Sequence, residues 1–283
     1  PKWDAELFMA LTEQHKITTI FAVPAQLATL LDNPIFEPDR LRTLRRIVFG
    51  GAPLSKALIE RIEAAMPWVS CERAYGSTET GHMAAQNKEN RVDVYDGYNQ
   101  PGGRLEIEIF KEPGIPATNG EIGEVAMRGP QLMTGYLEDP DAEAEFFRTG
   151  TTAGDWGWTG DLAEKHEGYF SLVGRSKHII LSGGMNIYPG ELEEVLQSHP
   201  DVTDCAVIGI EDDTWGELPI AAIVSKNNDP DIENILEFTA NNVARYKRVR
   251  QIVLVDHIPR TPAGKIQVHL VRELCTNASP DGS

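Results

Sequence analysis

What most limits the folds open to this chain is the period of its apolar residues, which changes twice between Trp3 and Val255. In the first stretch, Leu7, Phe8 and Leu11 stand at helical spacing, and Thr18 to Val23 reads as a short strand. Pro24 then opens a second helix with Leu27, Leu30 and Leu31 on one face, ended by Asn33-Pro34. Arg46 to Phe49 reads as a buried strand running into Gly50-Gly51-Ala52-Pro53. Leu58, Ile59, Ile62, Ala65 and Met66 form another amphipathic helix, stopped by Pro67. Such alternation predicts α/β structure with parallel strands.

From about residue 92 the period becomes two, clearest where Leu105, Ile107 and Ile109 interleave with Glu106 and Glu108. A Pro/Gly loop from Pro113 to Gly120 leads to a strand at Ile122 to Met127. After Gly174 the pattern mixes again: a helix over Glu191 to Gln197, strands at Cys205 to Ile210 and Pro219 to Val224, a helix over Asp231 to Val243, and a strand at Gln251 to Val255. The expected fold class is α/β. A partial large lobe over 1–174 comprises a parallel α/β sheet segment (1–91) and a β-rich subdomain (92–174), and a small α+β C-terminal domain follows over 175–283. The tail after about Thr276 reads as disordered.

Composition narrows the partners. A formal charge of −17 over 283 residues leaves no basic footprint for nucleic acid or an anionic membrane, so a phosphate ligand must be held by local chemistry. Three scattered cysteines make neither a disulfide framework nor a zinc site, which points to a reducing, cytoplasmic setting. No apolar run approaches the roughly 18 residues of a membrane span, and no signal peptide is visible at Pro1. The seven histidines lack metal-ligand spacing, and neither a Gly-x-Ser-x-Gly elbow nor a Gly-x-Gly-x-x-Gly fingerprint occurs, which disfavours hydrolase and dehydrogenase chemistry.

Four clusters carry the remaining chemistry. Tyr75-Gly76-Ser77-Thr78-Glu79-Thr80-Gly81 combines an aromatic ring, hydroxyls and a carboxylate suited to a base, phosphate oxygens and a divalent cation, although such residues also make a plain polar turn. Trp158-Thr159-Gly160-Asp161 sets a carboxylate beside a turn, as a ribose diol requires or as a turn cap does. Gly174-Arg175-Ser176-Lys177, with the glycine-rich loop Leu181-Ser182-Gly183-Gly184 leading towards a helix, suits an extended ligand or a tight connection. Pro259-Arg260-Thr261-Pro262-Ala263-Gly264-Lys265 puts a lysine on a stiffened loop, able to deliver a charge or simply solvated. Arg245, Lys247, Arg248 and Arg250 form a basic patch that suits either ligand phosphates or a solvated face.

The order of these clusters resembles the adenylate-forming (AMP-binding) superfamily. It runs from Phe21-Ala22-Val23-Pro24 through Gly50-Gly51-Ala52-Pro53-Leu54, the Tyr75 cluster, Gly135-Tyr136, Thr159-Gly160-Asp161, Gly174-Arg175 and Ser182-Gly183-Gly184 to Gly264-Lys265. Ile187-Tyr188-Pro189-Gly190-Glu191-Leu192-Glu193 and Trp215-Gly216-Glu217 look most like its acyl-CoA synthetase branch. The resemblance implies an ATP-dependent carboxylic acid:CoA ligase using ATP, Mg²⁺ and coenzyme A, with fatty acid metabolism as a setting. An enzyme loading a carrier-protein phosphopantetheine and an inactive nucleotide- or acyl-binding fragment are the alternatives.

By the same resemblance, Tyr75 stacks on adenine against Gly50, Gly51 and Ala52, with Gly76 and Ser77 beside it. Thr78 binds the α-phosphate, Glu79 holds Mg²⁺, and Asp161 and Arg175 take the ribose hydroxyls. Lys265 bridges the substrate carboxylate and the α-phosphate. Lys177 is the hinge about which a mobile small domain turns, bringing Gly183 and Gly184 to the pantetheine thiol. Arg73 stands where relatives often carry an amide, His166 and His178 where Asp is common, and Glu143 where Thr is common. Val23, Gly51, Gly76 and His82 are candidates for an apolar acyl pocket. The Ser/Thr/Gly-rich phosphate loop usual in this family is not matched by Arg148 to Gly154, so the chain is expected to be the C-terminal part of a longer ligase.

Overall fold

A computed structural model of the chain describes residues 3–50, 56–85, 100–101, 105–148, 156–261 and 264–277. It divides into two compact units, Pro1–Thr159 with Ala163–Leu172, and Gly160–Leu162 with Val173–Ser283.

The first unit opens with helix α1 (Ala5–His15), started by the Asp4 carboxylate accepting the Leu7 N–H at 2.9 Å and ended by Lys16 in the left-handed region at φ 51°. Strand β1 (Thr19–Ala22) leads to α2 (Pro24–Leu31), where Pro24 begins the helix and the Gln26 Oε1 accepts the Val23 N–H at 3.0 Å. Strand β2 (Arg46–Phe49), helix α3 (Lys56–Ala65) and strand β3 (Ser70–Ser77) follow. The strands β1, β2 and β3 are parallel, in register through Thr19↔Arg46 and Arg46↔Ser70. Met9, Leu30, Ile47, Phe49, Ile62 and Met66 are fully buried around them, each side chain contributing about 1.5–3 kcal/mol.

The parallel order stops at β3. Strand β4 (Gly81–Ala85) returns antiparallel to it, followed by β5 (Gln100–Pro101). The reversal is the Tyr75 cluster itself, so this segment is the end of a strand and a tight hairpin rather than a loop.

The β-rich subdomain expected for the middle of the chain is a five-stranded sheet of β6 (Glu106–Glu112), β7 (Ile115–Pro116), β8 (Ile122–Arg128), β9 (Gly157–His166) and β10 (Tyr169–Arg175), in the order β10-β9-β8-β6-β7, with β6 antiparallel to both β7 and β8. Helix α4 (Pro140–Phe147), started by Asp139, lies between β8 and β9 in sequence. Its apolar residues are too few to announce a helix. Trp158 to Asp161, read from sequence as a turn, continues strand β9, with Gly160 at φ 71° inside it.

In the second unit, β11 (Ile180–Ser182) and β12 (Met185–Ile187) form a hairpin before α5 (Pro189–Gln197). Then come β13 (Val202–Asp212), β14 (Gly216–Ser225), α6 (Ile232–Asn242), β15 (Gln251–Leu254) and α7 (Val268–Asn277). The sheet runs β12-β11-β14-β13, with β15 pairing parallel to β14. Alternate residues of one strand enter different cores: Cys205 and Val207 pack with Leu192 and Ile235, while Ala206 and Ile208 pack with Val271 and Cys275. Burial on both faces explains why β13 and β14 read as unbroken apolar runs. Thr276 lies in the last turn of α7, and the segment after residue 277 is outside the described residues.

One carboxyl group sits uneasily in this layer. Glu193 on α5 accepts the Val207 N–H at 2.9 Å, and burial pushes its carboxyl from the ordinary 4.5 up to about 7, against the pull of that N–H and of Arg260. Between those values the folded unit holds a proton that the unfolded chain has released, so stability falls as pH rises through this window and stays lower above it. Glu193→Gln is expected to flatten that slope and to stabilise the chain at pH 8 by roughly 2 kcal/mol. Denaturant titrations at pH 5 and pH 8 check this, and a slope that survives the substitution would refute it.

Candidate active site

The first unit's candidate residues stand at the C-terminal end of β3. Thr80 is buried and pins the hairpin: its hydroxyl accepts the Ser77 N–H at 3.0 Å, lies 3.0 Å from the Ser77 hydroxyl, and donates to the Gly81 carbonyl at 3.2 Å. The Met133 N–H donates to the Glu79 carbonyl at 2.8 Å, tying the turn to a second segment. Held in this way, Gly76 and Thr78 are exposed and Ser77 and Glu79 half-buried. Thr80, which the sequence places in the cluster without a role of its own, shapes the turn.

The Glu79 carboxylate accepts a hydrogen bond from the Tyr136 hydroxyl at 2.9 Å. Burial and this acceptor push the Tyr136 phenol up to about 12, so it remains a donor at neutral pH. The motif Gly135-Tyr136 signalled a family likeness but not this partner, 57 positions away. Among the described residues no three His, Cys, Asp or Glu side chains gather as a metal cage. One oriented carboxylate beside a threonine suits a Mg²⁺ ion that arrives on nucleotide phosphates, because that ion keeps few protein ligands.

Tyr75 is packed rather than displayed. It is 8% exposed, meets Phe170 edge-on at 5.9 Å, and its hydroxyl donates to the Thr159 Oγ1 at 3.4 Å. Gly50, just beyond β2, is buried under another ring: a Cβ there would stand 2.5 Å from the Phe21 Cζ. Phe21 itself is 65% exposed, a large apolar surface that the sequence motif contained without marking. Gly51 and Ala52 lie outside the described residues, as does the side chain of His82.

In the second unit, the Arg175 Nε donates to the Asp161 Oδ1 at 2.7 Å, joining two residues that the sequence keeps 14 apart. The left-handed Gly160 allows this: its carbonyl accepts the Ser176 hydroxyl at 3.2 Å, drawing the two strands together beside Asp161. The His178 imidazole is held below its ordinary value by burial and then by Arg175. Lys177 is exposed in a single 3₁₀ turn, Ser176–His178, between extended backbone at Arg175 (φ −117°, ψ 141°) and Ile179 (φ −63°, ψ 133°).

Gly183 and Gly184, at φ 57° and 77°, are the two central residues of the β11-β12 hairpin, paired through Ser182↔Met185. A turn with both residues at positive φ strongly favours glycine. They form a hairpin tip separated from α5 by a strand, not the loop that opens the helix. The Gly183 N–H donates to the Trp215 carbonyl at 2.7 Å, and a Cβ on Gly183 would stand 3.0 Å from the Trp215 ring, which is 49% exposed. Arg250 lies over that ring at 5.9 Å, while the Lys247 ammonium grips both oxygens of Glu191 at 2.8 and 2.6 Å. Of the basic patch, Lys247 is thus tied to Glu191 and Arg250 lies beside Trp215, while Arg245 is exposed. Lys265 is exposed on the loop before α7.

Comparison with known proteins places these features in a family. The AMP-binding enzyme profile matches residues 1–137, and the profile of the AMP-binding enzyme C-terminal domain matches residues 191–265. The chain is 34% identical to the indoleacetate–CoA ligase of Aromatoleum aromaticum over 97% of its own length and 53% of that protein's. It is 32% identical to 4-coumarate–CoA ligase 1 of Glycine max, covering 94% of this chain and 92% of that one. The o-succinylbenzoate coenzyme A synthetase of Bacillus subtilis, solved with ATP and magnesium ion, superposes with a TM-score of 0.82 at 27% identity, over 96% of this chain and 55% of that one. The chain spans about half the length of most of the curated relatives it matches. With both profiles matched in order, it belongs to the AMP-binding enzyme family.

Proposed function

We propose that the protein to which this chain belongs is an ATP-dependent carboxylic acid:CoA ligase that works through an acyl-adenylate, and that its acid is aromatic. The observation that carries the reading is the hairpin beyond β3, which sets an exposed Thr78 next to the Tyr136-oriented carboxylate of Glu79. A hydroxyl for a phosphate oxygen and a carboxylate for a phosphate-bound cation are what nucleotide activation needs on one edge.

In the first step a carboxylate oxygen attacks the α-phosphorus of ATP, and the bond to pyrophosphate breaks. Thr78 donates to the α-phosphate, Gly50 and Tyr75 wall the adenine slot with Gly51, Ala52, Gly76 and Ser77, and Asp161 and Arg175 receive the ribose hydroxyls. Glu79 holds Mg²⁺, which when bound neutralises phosphate charge. Lys265 stabilises charge on the reacting oxygens. In the second step the CoA sulfur attacks the acyl carbonyl, the thiol gives up its proton, and AMP leaves. Rotation about Lys177 withdraws Lys265 and presents the Gly183-Gly184 hairpin, with Trp215 beside it, to the pantetheine arm.

The named acids of the relatives, indoleacetate and 4-coumarate, favour an aromatic substrate over a fatty acid. The exposed Phe21 ring across Gly50 supplies a matching apolar wall. Three buried, unbridged cysteines suit a cytoplasmic setting, and none of the described helices is long and apolar enough to cross a membrane.

Acid-dependent exchange of labelled pyrophosphate into ATP by the full-length protein tests the proposal. Indoleacetate or 4-coumarate is expected to support exchange at least about tenfold above hexanoate, and added CoA to yield the aryl thioester. Exchange with neither class sinks the ligase reading, exchange favouring hexanoate sinks the aromatic one, and transfer only to a carrier protein replaces CoA as acceptor.

A further inference from the structure

The lysine loop of the second unit is braced by a residue to which no role has been given. Arg260 and Ile266 form an antiparallel bridge across the base of the loop. Inside it, the Thr261 N–H donates to the Lys265 carbonyl at 2.8 Å, the Gly264 N–H to the Thr261 carbonyl at 2.8 Å, and the Lys265 N–H to the Thr261 hydroxyl at 3.2 Å. These local bonds shape the loop but do not attach it to the sheet.

Ile258 and Ile266 pack the loop's flanks against the sheet's core, and the Arg260 guanidinium adds the polar tie to the loop itself. Its Nη2 donates to the Asp204 Oδ1 at 2.8 Å and its Nε reaches Oδ2 at 3.4 Å, while its Nη1 donates to the Gly264 carbonyl at 3.0 Å. Asp204 is itself fixed, on β13 at a register shift after Val202, with Oδ1 also accepting the Cys205 N–H at 2.9 Å. One planar fork thus joins a strand carboxylate to the peptide immediately before Lys265. A lysine at 260, a single point charge, cannot hold both partners in that geometry.

We infer that Arg260 is a positioning residue that locks the Lys265 loop to β13 through Asp204, so that Lys265 moves with the second unit as a whole and not by motion of its own loop. The inference rests on the proposed part of Lys265 in adenylation. A rigid mount matters there because charge stabilisation without reorganisation demands a preset position.

The test compares Arg260→Gln, Arg260→Lys and Asp204→Asn in the full-length protein, alone and combined with Lys265→Ala. Pyrophosphate exchange and single-turnover transfer from supplied acyl-AMP to CoA are measured, with thermal melting on each variant. Arg260→Gln and Asp204→Asn are expected to slow exchange by about tenfold or more, Arg260→Lys by less, and acyl transfer to stay within about twofold. Added to Lys265→Ala they should cost nothing further, since a brace acts only through what it holds. Multiplicative losses in the double variants, or equal losses in both half-reactions, overturn the brace. Should Arg260→Gln fail to fold, Asp204→Asn decides alone, and its normal exchange overturns the inference. Normal exchange in Lys265→Ala itself would instead remove the reading of the lysine on which the inference stands.

Discussion

Lys265→Ala in the full-length protein is expected to slow acid-dependent pyrophosphate exchange about 100- to 1000-fold, while transfer of a supplied acyl-adenylate to CoA stays near normal. The lysine is exposed on a loop held by the second unit, so its removal opens no cavity and leaves no buried group unpaired. On the proposed mechanism, what is lost is a positive charge at the reacting oxygens, a term that acts in one half-reaction only. Melting should therefore be unchanged. Parallel loss in both half-reactions would mean that the lysine serves a general binding role, and the differential argument would fall.

Lys177→Pro carries the second large effect, of the opposite selectivity. The 3₁₀ turn Ser176–His178 is flanked by extended residues, and a proline there holds φ near −65° and removes one N–H. A 3₁₀ turn tolerates that φ, whereas an orientation needing a different backbone at 177 does not. Adenylation is expected to persist within about threefold and CoA-dependent thioester formation to fall about 100-fold or more. An ordinary surface lysine in a fixed segment predicts no change or uniform loss through destabilisation. Exchange, single-turnover acyl transfer and melting on the same variant separate these outcomes.

Much of this architecture was legible before any coordinates. The elements α1, β1, α2, β2 and α3 follow from apolar spacing, because Leu27, Leu30, Ile59 and Ile62 bury one face and a period is the record of a face. The short helix α4, the β9-β10 pair and the closing helix α7 were missed. Strand β9 contains a left-handed Gly160 that reads as a turn, and α4 buries only Phe146, too little to print a period, whereas α7 carries one, Val268, Val271 and Cys275, that went unread. Strand β3, with its alternating polar and charged residues, carries no apolar period, and its reversal into β4 is tied by Thr80, a residue with no periodic signature.

By itself, then, the sequence determined the class, α/β passing to β and then to α+β, together with the residue types gathered in each motif, because both are local properties of spacing and composition. Only the tertiary structure decided which motif residues meet. Asp161 finds Arg175, Glu79 finds Tyr136, Gly183 finds Trp215, and Arg260 spans from Asp204 to Gly264. Each of these pairings joins side chains or backbone groups on different elements. The physical reason is that a hydrogen bond is set by distance and direction in space, and the chain brings such groups together only once its apolar faces have chosen how to pack.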